Sequence, residues 1–166
     1  MKPNEDSGNI NFTAVLRVGV AFTWAGLILG LSFIETPLKF QAPGVTTAIG
    51  LGIGRLVFTA LNRVELVLGV LLLGSLILGK RSGKRSGIQY ALVSLIVAIV
   101  IMQTFWLLPA LDARAQLLID GNPAPSSFHH GLFIVVESLK VLALLAIGVV
   151  AARADIARHA PAPATR

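Results

Sequence analysis

Four apolar stretches, about 13–34, 56–79, 88–108 and 128–151, take up most of the chain and constrain its fold more than any other feature. About 20 residues at 1.5 Å rise cross the hydrocarbon of a bilayer. In that solvent each segment must satisfy its own backbone polar groups, so every stretch is predicted to be a helix. The expected fold class is all-α, a four-transmembrane-helix bundle. Composition agrees, with 55% of residues apolar and 13% charged, where soluble domains carry about 25% charged residues. Residues 1–12 and 152–166 read as polar tails flanking one membrane domain.

The net charge of +6 does not point to nucleic acid, because the cations gather in Lys80-Arg81-Ser82-Gly83-Lys84-Arg85 and near the chain ends. Basic segments beside membrane spans mark the cytoplasmic side. The 80–85 connection and both termini are therefore expected inside, the other two connections outside, and the bilayer is the expected partner. Short loops without a targeting segment fit a bacterial inner membrane. With no cysteine, disulfides, thiolate metal sites and iron–sulfur ligation are excluded, and no cofactor is expected.

Several local signals position the spans. Arg17, near the start of the first, is expected to snorkel to the headgroups. Gly19, Thr23, Gly26 and Gly30 form a small-residue stripe that predicts a close helix contact, within the chain or in a homo-oligomer. Pro37 is expected to end the first span and begin a Gly-rich loop over 39–55, with Thr46 or Thr47 capping a short helical start. Pro109 is expected to close the third span, with 111–119 as a short helix along the outer interface. Ser126 or Ser127 is expected to cap the fourth.

Inside this apolar background lie Leu61-Asn62-Arg63-Val64-Glu65-Leu66 and Glu137-Ser138-Leu139-Lys140. A charge at the bilayer centre costs about 2.5–3.5 kcal/mol or more, so such groups face protein or water and mark functional sites. Arg55, Phe58, Asn62, Glu65, Gly69 and Leu72 fall on one helical stripe, with Arg63 off it. A shift of 72 residues carries Phe33 onto Phe105, Pro37 onto Pro109 and Glu65 onto Glu137. It predicts two repeated helical hairpins related by an axis along the membrane normal, with the glutamates at equal depth. His130, Glu137 and Lys140 then form a column on the fourth span. Arg63, Glu65, Glu137 and Lys140 sum to zero charge.

This constellation predicts a non-enzymatic membrane protein with a polar site in its outer half for binding or moving protons or a small solute. Glu65 and Glu137 would handle charge, Lys140 and Arg63 would be counter-ions, Asn62 would line the site, and His130 would exchange protons with outer water. One alternative is an accessory subunit whose buried charges only fix helix packing. Another is a redox or metal-binding protein, for which His129 and His130 are the candidates; neighbours on a helix diverge by about 100°, which weighs against it. The Gly50-Leu51-Gly52-Ile53-Gly54 run has no preceding strand and is not read as a nucleotide site.

A first span ending in Phe33 and Pro37, a Gly-containing loop, the Arg55-x-x-Phe58 pair, and His130 ahead of Glu137-x-x-Lys140 form a recognisable combination. It resembles the small four-helix bacterial integral membrane proteins of unknown function that are distantly similar to a eukaryotic drug-resistance-associated transmembrane protein. The resemblance implies the fold and the membrane location, and carries over no binding or catalytic residues.

Overall fold

A computed structural model describes residues 12–79 and 84–159. The 1–11 tail, the 80–83 part of the basic connection and residues 160–166 lie outside the described residues. Every described element is helical. Helix α1 runs through Phe12–Lys39 and α2 through Thr47–Leu78. Helix α3 is continuous from Lys84–Met102 through Gln103–Leu107 into Leu108–Ile119, and α4 spans His129–His159. All four contain segments long and apolar enough to cross a bilayer, the character of an integral membrane protein. Exposed Val70, Ile77, Phe105 and Leu142 on the outside of the bundle suit lipid rather than water.

Each helix runs antiparallel to its neighbours. Trp24 of α1 meets Glu65 of α2, Asn62 of α2 meets Thr104 of α3, and Gln103 of α3 meets Glu137 of α4. The ring closes through the extensive packing of α4 on α1, leaving α1 and α3 on one diagonal and α2 and α4 on the other. We call the end with the 40–46 and 120–128 connections distal and the opposite end proximal. The main core includes Trp24, Ile28, Leu72, Leu76, Ile96 and Leu144. A smaller distal cluster joins Ile99, Leu107, Phe133 and Val136.

Neither proline ends its helix. Proline lacks an N–H and its ring clashes with the carbonyl four residues back. Both helices widen into π-helical turns just ahead of it, Leu29–Glu35 before Pro37 and Gln103–Leu107 before Pro109. The Thr36 hydroxyl donates to the Leu31 carbonyl at 3.0 Å, satisfying a group in the widened turn. The 111–119 segment is therefore not a separate interfacial helix. It extends α3 and packs on the first turns of α2, where Arg55 grips both oxygens of Asp112 and also reaches Gln116.

The 39–55 loop contracts to residues 40–46, with Gly44 in the left-handed region at φ 81°. Thr46 caps α2 by accepting from the Ile49 N–H at 3.3 Å. The 50–54 glycine run is helical, and Gly50 and Gly54 give the Phe40 ring and the Lys39 side chain room against α2. Ser127 caps α4, accepting from the His129 N–H at 3.2 Å.

One expectation needs correcting at the proximal end. Arg17 is fully buried and donates to the Ser75 carbonyl at 2.5 Å. A guanidinium near the last turn of α2 meets its carbonyl-rich, negative dipole end, which outweighs snorkelling. The small-residue stripe points away from the bundle, since no described residue lies within 4 Å of where a Cβ would sit on Gly19, Gly26 or Gly30. Of the two contacts the stripe allows, the one within the chain is not made among the described residues.

The hairpins share a plan beyond their π turns. The 72-residue shift carries buried Arg17 onto buried Gln89, Ala21 onto Val93, Ile28 onto Val100, Leu61 onto Phe133 and Leu72 onto Leu144. Packing in a bilayer rests on van der Waals contact rather than the hydrophobic effect. Leu144→Ala should therefore cost about 2 kcal/mol through the void it leaves. Leu142→Ala, two residues away and 65% exposed, should cost under about 0.5 kcal/mol. Reversible unfolding of both variants in detergent measures the contrast.

Candidate functional site

Glu65 projects from α2 and Glu137 from α4 toward the bundle axis, and Lys140 lies between them. Its ammonium is 2.5 Å from Glu65 Oε1 and 2.8 Å from Glu137 Oε1. The local geometry follows from helix direction. Side chains tilt toward the helix N-terminus, which is distal in both α2 and α4. Lys140, one turn beyond Glu137 on the same face, reaches back to it. All three residues are almost wholly inaccessible.

Each carboxylate also takes a neutral donor from α1 or α3. The Trp24 indole N–H donates to Glu65 Oε1 at 2.8 Å, and the Gln103 amide donates to Glu137 Oε1 at 2.7 Å. The four helices thus meet in one polar knot. Just distal to it, Thr104 Oγ1 accepts from the Asn62 amide at 3.0 Å and donates to the Val100 carbonyl at 2.7 Å. The knot has open valences: Glu137 Oε2 and Gln103 Oε1 are buried without a partner.

Two adjoining chambers open above it. The first, about 510 Å³, reaches down to Asn62 and Thr104 and is bounded distally by Lys39, Arg55 and Asp112. The second, about 600 Å³, lies among α1, α4 and the end of α3, and reaches Ser32, Arg114 and Glu137. Thr36, Phe40, Phe58, His130 and Phe133 line both. In the first, the Lys39 ammonium sits 5.5 Å from the Phe58 ring centre and 5.7 Å from that of Phe40, with Glu35 at 3.3 Å. Lys39 is thereby held by cation–π attraction and an ion pair.

The structure brings together Glu65, Glu137 and Lys140, with Asn62 and His130 lining the space above. It does not bring in Arg63. That side chain is exposed on the outer face of α2 and makes no ion pair with a described residue, as its place off the polar stripe implies. The expected zero sum therefore fails at the site, where two carboxylates face one ammonium. His129 and His130 have different surroundings: His129 stacks on Phe128 and contacts Ser127 and Trp106, while His130 faces the chambers. Among the described residues no three histidine or acidic side chains are grouped to hold a metal ion.

Trp24 and Gln103 are site residues that reading the sequence did not single out. Trp24 looks like an apolar core residue, and only its spacing from Arg17 and Ala21 places it on the buried stripe. Ser32 lies within a π turn, where ordinary helical spacing no longer holds, and Arg114 lies in the α-helical segment beyond the other one. Comparisons with protein-family models, curated proteins and solved structures return no match.

Removing one member of a buried ion pair typically costs about 3–5 kcal/mol, because its partner is left uncompensated. Lys140→Met should lose about that much, and Trp24→Phe, which removes one neutral donor, about 1–3 kcal/mol. Unfolding titrations of the purified variants check both, and equal losses would show that Lys140 is not the central tie.

Proposed function

We propose that this is a non-enzymatic integral membrane protein whose intramembrane site takes up one positive charge, a proton or the cationic group of a small solute, from the outer side. The observation that carries the reading is Glu137 Oε2, buried, unpartnered and at the floor of a chamber. Two carboxylates and one ammonium leave one negative charge over. Arg17 does not cancel it. That residue binds Ser75, almost three turns beyond Glu65, or roughly 15 Å along the helix. At that range two charges interact by only about 1 kcal/mol at an effective dielectric near 20, against about 2.5–3.5 kcal/mol or more for an uncompensated charge at membrane depth.

His130, above the floor and lining both chambers, is placed to exchange protons with water at the mouth. The basic 80–85 sequence supports a cytoplasmic proximal end; on this reading the chambers belong to the outer leaflet, and a bacterial inner membrane is the proposed location. A second reading, an accessory or self-associating subunit, is favoured by the outward-facing Gly19, Thr23, Gly26 and Gly30 stripe, whose glycines have no packing partner among the described residues.

Charge displacement by the purified protein in vesicles on a solid support, after a step in outside proton or methylammonium concentration, tests the first reading. A displacement current in the wild type that is lost in Glu137→Gln is expected. No current in the wild type, or an unchanged one in the variant, would overturn it. For the second, Gly26→Leu should abolish cross-linked dimers in membranes, and unchanged cross-linking would dismiss the stripe as an interface.

A further inference from the structure

The second chamber is more specific than a proton path requires. Its lining contains one cationic side chain, Arg114, and one carboxylate, Glu137. Both have an unused buried atom, Arg114 Nη1 and Glu137 Oε2, and so does a third lining residue, Ser32, in its hydroxyl. They come from three helices, α1, α3 and α4, so no local helix chemistry explains why all three are unsatisfied on one space. Burying such groups unpaired costs on the order of 1–3 kcal/mol each, more if charged.

Helix directions aim them at each other. Arg114 lies about three turns, or roughly 16 Å, distal to Gln103, which marks the depth of Glu137. Its side chain tilts proximally, toward the N-terminus of α3, while that of Glu137 tilts distally, toward the N-terminus of α4. The remaining wall is mostly apolar and aromatic, and includes Leu118 and Ile134, exposed by 39% and 44%. Exposed leucine and isoleucine on a membrane helix meet acyl chains, so the chamber has an apolar side toward lipid.

We propose that this chamber binds the zwitterionic head of an amphiphile drawn from the bilayer: an ammonium bearing N–H donors against Glu137 Oε2, an anion against Arg114 Nη1, and an apolar tail leaving past Leu118 and Ile134. The proposal rests on the proposed function and names the solute class of that site. The ammonium supplies the missing positive charge, and the anion answers the guanidinium. A quaternary ammonium has no N–H to give, so the site discriminates against it.

The test is native mass spectrometry of the full chain in detergent, with short-chain phosphatidylethanolamine, phosphatidylcholine and phosphatidylglycerol as probes and soluble phosphoethanolamine as competitor. Phosphatidylethanolamine should be retained about tenfold or more over the other two, as expected for one hydrogen bond to a charged group. Arg114→Gln and Glu137→Gln should each remove most of that preference, and Ser32→Ala should weaken it by a few-fold. Ser32 and Arg114 stand outside the ion knot, so their variants report even where Glu137→Gln does not fold. Equal retention of the three lipids, or an undiminished preference in Arg114→Gln, overturns the proposal. Full competition by phosphoethanolamine overturns the amphiphile in favour of a soluble zwitterion. If lipid preference is absent but the displacement current that depends on Glu137 persists, this inference alone fails; if both are absent, the function fails with it.

Discussion

An ammonium shared by two carboxylates from diagonally opposed helices is the contact on which this bundle turns. Helices α2 and α4 pack little backbone against each other, so Lys140 connects across a gap that apolar side chains alone would fill differently. Each glutamate also accepts a neutral donor from an outgoing helix, the indole of Trp24 on α1 and the amide of Gln103 on α3. The arrangement is two-fold: each glutamate takes both its neutral donor and the lysine on one oxygen, Oε1. The second oxygen of Glu137 is buried and uncommitted. A fully satisfied knot would be structural glue, which in membranes returns only about 0.6 kcal/mol per polar contact.

Above and below the knot the bundle differs. Proximally, Trp24, Ile28, Leu72, Leu76 and Leu144 fill the interior, and Arg17 closes the end by answering the carbonyl terminus of α2. Distally the helices leave two chambers. The first turns of α2 and the last turns of α3 are joined there by Arg55 and Asp112, a tie between segments that the two hairpins lengthen in opposite ways. The chambers are lined by aromatic rings, a histidine and charges of both signs. The packed interior and the open chambers thus occupy different depths of one four-helix unit.

Much of this was legible in the sequence. Apolar run length dictated four helices because lipid leaves the backbone no alternative, and spacing along the second and fourth runs put Glu65, Glu137 and Lys140 on inward faces. The misreadings have particular causes. Pro37 and Pro109 looked like helix ends because proline usually breaks an α-helix, and nothing in the sequence announced that a widened turn would absorb each one. Arg17 looked like a headgroup anchor because a cation near a span end usually is one, and only the approach of α2 supplied it with a carbonyl. Arg63 was counted as a counter-ion although its angular position already placed it outside. The partners of the carboxylates were the hardest to foresee, since tryptophan and glutamine in a membrane helix have many uses and only the packing of α1 and α3 selects this one.

The two widened turns have a bearing on how such a protein can change over generations. A π turn holds one residue more than an α turn, so everything distal to it is rotated by about 100° relative to a regular helix. The proximal lengths of α1 and α3 are therefore in phase with the ion knot, while Lys39 and Arg114 beyond the turns obey a separate phase. A one-residue deletion within Leu29–Glu35 or Gln103–Leu107 would swing the chamber wall like a dial and leave the proximal part of the helix in register. The molecule thus carries two built-in points at which the shape of its chambers can be re-indexed without disturbing the charges that hold it together.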